Sequence, residues 1–460
     1  MGAHEAPHVT LALRPELTHR QPGIPEPGPF GSPGDGLPPF PIDLEWKAER
    51  RLWGHAFHPM CSYLAAFPAG LAHAFIARYT RPGDVVLDPF SGRGTTALQA
   101  CAEGRIGLGN DLNPLAHLLT GAKVDPPEPE ALFDRLGDLR AAWRAVAPGP
   151  AEIDRAVPPE VAVCFDPGTL AQLQFLRVSL APADRVDRFI AATTTGVLHG
   201  RGRAFLSGLM PNAFSMPAAY VLRYARETCY VPEPRDVFDV LELKVRRLLR
   251  DPLPVTRGIS MLGDARDAGT RARRLLESRS LPGRVRLVVT SPPYLRVVRY
   301  GSANWLRLWF LGLDPAEVDA ALDQAHRPAA YLRFLRVVLA DLRECLADDA
   351  VVALVLGDVE SDRGHRLSRK VTLADRAWEE SAKPEGYRLA GVAIDEIAAH
   401  RKSTRIWGEE AGQATRVDRL LVVTPSEQGR RRALASATFP IDWTWPPPPR
   451  LRLVVGQGSR

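Results

Sequence analysis

Cysteine is scarce in this chain and nowhere paired. Cys61, Cys101, Cys164, Cys229 and Cys345 are scattered through 460 residues, with no CxxC and no neighbouring pair of histidines. That excludes a disulfide framework and a cysteine-built zinc site, and it suits a reducing cytoplasm. No metal is expected. The first residues lack a basic region followed by an apolar core, and no uninterrupted apolar run reaches membrane-spanning length. A soluble, cytoplasmic protein with no membrane partner is therefore expected. There is no internal repeat and no nuclease constellation. Charge is nearly balanced, with 59 Lys and Arg against 53 Asp and Glu, a formal +6. That excess fits a polyanionic partner without requiring one.

Proline and glycine, by contrast, crowd the ends. Residues 1–45 include Pro22-Gly23-Ile24-Pro25 and Gly31-Ser32-Pro33-Gly34, and the tail carries Pro446 to Pro449. Such stretches bury too little apolar surface to offset their ordering cost, so an N-terminal arm and a solvated tail are expected. The length of the remainder predicts one large core with an insertion, or two domains.

Two stretches carry chemistry. The apolar run Val288-Val289 reads as a strand that stops at Ser291-Pro292-Pro293-Tyr294. Two prolines fix φ and remove two amide hydrogens, leaving a stiff turn with carbonyl oxygens, a small hydroxyl and an aromatic ring. Such a turn suits a flat ring bearing an exocyclic amine. Upstream, Val85-Val86-Leu87 reads as a buried parallel strand, followed by Asp88-Pro89-Phe90-Ser91-Gly92-Arg93-Gly94-Thr95-Thr96 and then a helix. Strand, glycine turn and helix form the first βα unit of a doubly wound sheet. A second strand, Ile106 to Asn110, ends in Asp111, 23 residues beyond Asp88. An acid at about that distance accepts hydrogen bonds from ribose hydroxyls in nucleotide-binding folds. The competing reading makes Asp88 only a turn cap and Ser291-Pro292 only a strand terminator.

Together these motifs resemble the amino-methylating DNA methyltransferases, the N4-cytosine and N6-adenine family. Asp88 to Thr96 is similar to that family's S-adenosylmethionine motif, and Asn110-Asp111-Leu112-Asn113-Pro114 to its next motif. Ser291 to Tyr294 resembles the target-amine motif. His58-Pro59-Met60, with the apolar stretch through Ile76, resembles the element beside the methionine end of the cofactor. Gly263-Asp264-Ala265-Arg266 resembles the short acidic motif that borders the adenine. Arg405-Ile406-Trp407, Gly412 to Thr415 and Asp418 to Val423 look like the family's C-terminal stretch. The cofactor motifs come first here, whereas many members with Ser-Pro-Pro-Tyr have the reverse order.

The resemblance implies a Rossmann-like class I methyltransferase fold of α/β type, mostly parallel, with a mainly helical insertion. It implies S-adenosyl-L-methionine as cofactor and DNA as partner. The expected cofactor-binding residues are Asp88, Phe90, Ser91, Gly92, Gly94, Thr95, Asp111, Asn113, Asp264 and Ala265. The expected catalytic residues are Ser291, Pro292, Pro293 and Tyr294. The amine of a flipped base would give its hydrogens to the Ser291 side chain and the Pro292 carbonyl while Tyr294 stacks on the ring. The serine form favours N4 of cytosine over N6 of adenine. An RNA methyltransferase acting on an exocyclic amine, and a non-catalytic module of the same fold, stay open beside it. So does a separately encoded restriction or defence partner.

The organisation expected is an arm over 1–45, a cofactor-binding part over 46–125, an insertion over 126–255, a catalytic part over 256–425 and a tail over 426–460. Between Asp111 and Asp264, Leu136–Val146, Leu170–Leu180 and Val237–Leu249 have helical spacing. His199 to Arg203 and Met210 to Ser215 mix glycine, basic and small polar groups, which suits a loop touching phosphates and bases as well as it suits an ordinary loop. This insertion is the best candidate for target recognition. Trp305 and Trp309 read as packing residues. Tyr331 to Leu346 reads as an amphipathic helix with Phe334, Val337, Val338 and Leu342 on one face. Strands are predicted at 349–356, 392–397 and 419–423.

Overall fold

The computed structural model describes residues 36–49, 53–64, 66–146, 157–210, 215–293, 299–322, 328–357, 372–396 and 417–445. Tyr294 and the family-like stretch 405–415 lie outside the described residues.

Short β-branched runs form the strands. β1 (Val85–Asp88), β2 (Ile106–Asp111), β3 (Ile259–Leu262), β4 (Val285–Thr290), β5 (Leu346–Gly357), β6 (Arg388–Glu396) and β7 (Val417–Thr424) make one sheet, in the order β3-β2-β1-β4-β5-β7-β6. β3, β2, β1, β4 and β5 run parallel, and β7 is antiparallel to both its neighbours. This is the Rossmann-like class I methyltransferase sheet expected from the motifs. β3 carries no clear signal in the sequence, because it is four residues long and only Met261 is buried.

The period-two alternation of strands decides which side chains meet which layer. Val86, Leu287, Val289, Val351, Ala353 and Val355 face one core with the helix α1 (Ala69–Tyr79). Val85, Leu87, Val288, Val352 and Leu354 face the other, against the helices Ala268–Ser278 and Pro328–Leu342. On the second of these helices the buried stripe is Tyr331, Leu335, Val338 and Leu342. Val337, expected on that stripe, is exposed, because it sits one position off the three-and-four spacing that faces the sheet.

After β1 come α2 (Thr95–Ala102) and, after β2, α3 (Pro114–Val124). The insertion is helical, with helices at Pro129–Val146, Pro167–Ser179, Arg185–Thr195, Ala218–Glu227 and Val237–Leu248. These share a separate apolar core that takes in Leu115 and Leu119 from α3 and Trp305, Leu308 and Trp309 from beyond β4. Trp305 and Trp309 are packing residues, as predicted. His199 is a satisfied core histidine: its ring nitrogens meet the Met210 carbonyl at 3.1 Å and the Ser215 hydroxyl at 3.3 Å.

Part of the stretch read as an arm packs. Phe40 and Ile42 are buried, and Phe40 exchanges backbone hydrogen bonds with the β6 edge: its amide donates to the Val392 carbonyl, while the Val392 amide donates to Pro38. Pairing there covers an otherwise open edge strand. In the stretch read as a tail, Glu427–Ser436 is a helix, and Trp443 packs edge-on against Trp53 and His73. Their apolar and aromatic residues outweigh the proline signal of the flanks. No helix among the described residues is long and apolar enough to cross a membrane.

Close packing of α2 on β2 depends on Gly107. A Cβ there would lie 2.1 Å from the Ala97 carbonyl oxygen and 2.9 Å from Cys101 Sγ. Backbone must therefore move to admit it. Gly107→Ala is expected to destabilise the protein by about 1–3 kcal/mol, seen as a lowered urea midpoint.

Candidate active site

Because β3, β2, β1 and β4 are parallel, their carboxyl ends emerge on one edge. The strand order reverses between β1 and β4, and a doubly wound sheet binds its ligands at that point. Asp88 ends β1 and Ser291 follows β4, so the two motifs meet at the reversal.

Asp88 is 1% exposed. Its Oδ1 accepts from the Thr290 hydroxyl at 2.5 Å and from the Phe90 amide at 3.1 Å. Burial pushes its carboxyl up from 3.8 to about 7, against the hydrogen bonds that favour the charged form. One residue on, Ser291 Oγ donates to the Val355 carbonyl of β5 at 3.3 Å. A hydroxyl has one proton and two lone pairs; with the proton directed at Val355, the lone pairs remain acceptors. Pro292 is buried and Pro293 half-buried.

The glycine turn works through backbone shape. Gly92 and Gly94 have φ of +49° and +78°, a region that L side chains avoid. At Gly94 a Cβ would also strike Thr120 Oγ1 at 2.8 Å. Ser91, buried, meets Thr120 Oγ1 at 3.1 Å, and Thr95 Oγ1 accepts from Arg93 Nε at 3.2 Å. These two hydroxyls shape the turn. Phe90 packs on Phe334, ring centres 5.8 Å apart.

Asp111 is half-buried at the end of β2. Its oxygens accept from the Gly92 amide at 2.8 Å and the Asn113 amide at 2.9 Å. Burial raises its carboxyl to about 6. Asn113 caps α3 through the Leu115 amide and donates from Nδ2 to the Tyr63 hydroxyl at 2.9 Å. Beyond β3, Ala265 is buried. Asp264 is brought to the same edge, but its carboxylate is held by Arg266, with Nη2 at 2.6 Å. Burial would push that carboxyl up, yet the Arg266 hydrogen bonds bring it below its ordinary value. His58, expected beside the methionine end, is buried with Nε2 donating to Gln99 Oε1 at 2.9 Å, while Nδ1 is buried without a partner.

Several neighbours are not among the expected site residues. Tyr63 and Tyr300 stack with ring centres 5.9 Å apart, and the charge of Asp111 adds to burial in pushing both phenols up. Asn110 donates from Nδ2 to the Pro89 and Gly263 carbonyls and accepts from Arg271, thereby tying β2 to two loops and to the helix Ala268–Ser278. Lys123, fully buried, donates to the Arg93 carbonyl at 2.7 Å.

Part of the chain is similar to known proteins. Residues 46–119 match the family model described as DNA methylase. The Type II methyltransferase M.MjaII of Methanocaldococcus jannaschii is 32% identical over 98 residues, 21% of this chain and 18% of that protein. The resemblance to the amino-methylating DNA methyltransferases stands. M.Cfr9I of Citrobacter freundii is 37% identical over 70 residues, 15% of this chain and 23% of that one. M.MvaI of Kocuria varians is 39% identical over 57 residues, 12% and 13% respectively. The chain thus matches under a quarter of the length of these curated relatives. Among solved structures, the rRNA methyltransferase aviRa of Streptomyces viridochromogenes overlaps 81% of this chain and 88% of its own at 12% identity and a TM-score of 0.31. TrmN of Thermus thermophilus overlaps 80% and 52% at 14% identity and a TM-score of 0.28.

S-adenosylmethionine, the methyl donor that goes with this resemblance, fits the residues present. The positive-φ turn lets backbone approach a bound molecule closely. Asp111, half-buried at the end of β2, presents a carboxylate that can accept from a hydroxyl of a bound molecule.

Asp88 also makes stability depend on pH. Its folded value lies above its unfolded one, so the contribution is full below 3.8 and is lost as pH rises through about 7. Asp88→Asn keeps an acceptor for Thr290 and removes this component. Between about pH 4 and pH 8 the wild type is expected to lose more unfolding free energy than the variant, measured by urea titration.

Proposed function

We propose that this chain is an S-adenosylmethionine-dependent DNA methyltransferase acting on the exocyclic amine of a flipped base, with N4 of cytosine favoured over N6 of adenine. The observation that carries this reading is the meeting of Ser291-Pro292-Pro293 with the Asp88 turn at the β1–β4 reversal, joined by the Thr290–Asp88 hydrogen bond. The base preference rests on the serine of the motif. DNA as substrate is supported by the family model and by the Type II methyltransferases that the chain resembles.

The amine nitrogen of cytosine or adenine is a weak nucleophile because its lone pair is delocalised into the ring. Ser291 Oγ, its own proton given to Val355, accepts one amine hydrogen, and the Pro292 carbonyl accepts the other. Two acceptors favour a pyramidal nitrogen with an available lone pair and stabilise the positive charge that grows on it. S-adenosylmethionine, when bound, would supply an electrophilic methyl on a sulfonium sulfur, which would leave as the neutral thioether as the amine nitrogen took the methyl, and the amine's surplus proton would pass to solvent. Pro292 and Pro293 hold the acceptors without freedom to turn away. Tyr294 stacks on the base. The cofactor would be held by Asp88 and the Phe90–Gly94 turn around its methionine part, by Asp111 at the ribose and by Asp264 beside the adenine, with Thr95, Asn113 and Ala265 completing the pocket. The insertion 126–255 has the target-recognition role.

The test uses purified protein, tritiated S-adenosylmethionine and separate DNA and RNA pools, with products digested to nucleosides and identified by mass. Label is expected in DNA as N4-methylcytosine. Ser291→Ala is expected to lower kcat by about 100-fold or more with cofactor affinity retained. Label confined to RNA, or absent cofactor binding, overturns the reading; N6-methyladenine overturns only the base preference.

A further inference from the structure

The helix Ala218–Glu227 presents two faces of different chemistry. Val221 and Ala225 are buried in the helical core. Tyr220 and Tyr224, one turn apart, stack with ring centres 5.9 Å apart and planes 19° from parallel. Both rings lean on that core and stay half-exposed. The Arg223 guanidinium lies 4.8 Å from the centre of the Tyr220 ring, and Arg223 and Arg226 are exposed. The only acid on this helix is Glu227, 3.7 Å from Arg223. The loop before it adds exposed Arg201 and Arg203, and it abuts the helix end where the Gly208 amide donates to the Tyr230 hydroxyl at 3.3 Å.

This surface is tied to the active-site side of the molecule. Just before the helix, the Ser215 amide donates to the Ala303 carbonyl at 3.1 Å, and Trp305 Nε1 donates to the Met216 carbonyl at 2.6 Å. Ala303 and Trp305 belong to the short helices Tyr300–Ala303 and Trp305–Phe310 that follow the Ser291–Pro293 turn. The start of the basic helix is thus bonded directly to the segment that follows the Ser291–Pro293 turn.

We propose that the face formed by Tyr220, Arg223, Tyr224 and Arg226 is the surface on which duplex DNA lies while its target base is presented to Ser291. The proposal rests on the DNA-methyltransferase reading. Its chemistry is complementary to a nucleic acid. Guanidinium groups neutralise and hydrogen-bond phosphates, and the tyrosine rings offer faces to bases or sugars. Arg223, already laid on the Tyr220 ring, loses little further freedom when it meets a phosphate.

The experiment is fluorescence anisotropy of a labelled mixed-sequence DNA duplex with the full chain, over a salt series, beside cofactor binding by calorimetry. Arg223→Ala with Arg226→Ala is expected to weaken duplex binding by about tenfold and to flatten the slope of log affinity against log salt by about 2. Tyr220→Ala with Tyr224→Ala is expected to cost about tenfold, and the Tyr→Phe pair, which keeps the rings, to restore most of it. Cofactor affinity should match wild type in every variant, which separates a lost surface from a lost fold. Unchanged duplex affinity and salt slope in both alanine pairs overturn the proposal, as does an effect on a hairpin RNA with none on the duplex. If the wild type methylates DNA while these variants bind it normally, only this surface is refuted. If the wild type methylates no DNA, the underlying reading fails, whatever the variants do.

Discussion

An aspartate buried at the end of a central strand must be hydrogen-bonded or protonated, since an isolated buried carboxylate costs many kcal/mol. Asp88 obeys this by drawing in two loops. The Phe90 amide comes from the glycine turn after β1, and the Thr290 hydroxyl comes from β4, immediately before the proline turn. Next to it, Thr96 Oγ1 donates to the Val289 carbonyl at 3.0 Å, which ties α2 to β4 as well. The position of the Ser291–Pro293 turn relative to the Asp88 turn is thereby set by a few short buried bonds.

The same economy holds along the edge. Asp111 is bonded to the Gly92 amide of the first loop, and Asn110 is bonded to Pro89 on one side and Gly263 on the other. Arg271 completes Asn110. Lys123 supports the turn from behind, and its burial pushes its pKa well down, so it acts as a donor in a place where a full charge is disfavoured.

A buried cation joins the helical core to the segment that follows β4. Arg307, 2% exposed, donates to the Thr195 carbonyl, to Asn304 Oδ1 and to the Ser62 hydroxyl. Ser62 precedes Tyr63, which stacks on Tyr300, so three distant segments meet beside Asp111. Arginine suits this junction because its rigid fork can serve several neutral acceptors at once.

Local physics made much of this protein legible from sequence. Val85-Val86-Leu87 and Val288-Val289 are β-branched or apolar runs ended by residues that stop a strand, so both chemical turns could be placed on strand ends. Leu136–Val146, Leu170–Leu180 and Val237–Leu249 show helical periodicity, and helices cover them with boundaries shifted by a few residues. Other features depend on partners hundreds of positions away. Phe40 and Trp443 pack although proline-rich stretches surround them, because β6 offers an unpaired edge to the first and Trp53 and His73 offer a ring cluster to the second. Thr290, Tyr63, Tyr300, Arg271 and Arg307 have no local pattern, since a hydrogen bond or a stack across the fold leaves no periodic trace in the chain. Sequence alone determined which chemistry could occur at two strand ends. Only the tertiary structure, by running those strands parallel and reversing their order between β1 and β4, decided that the two ends lie side by side.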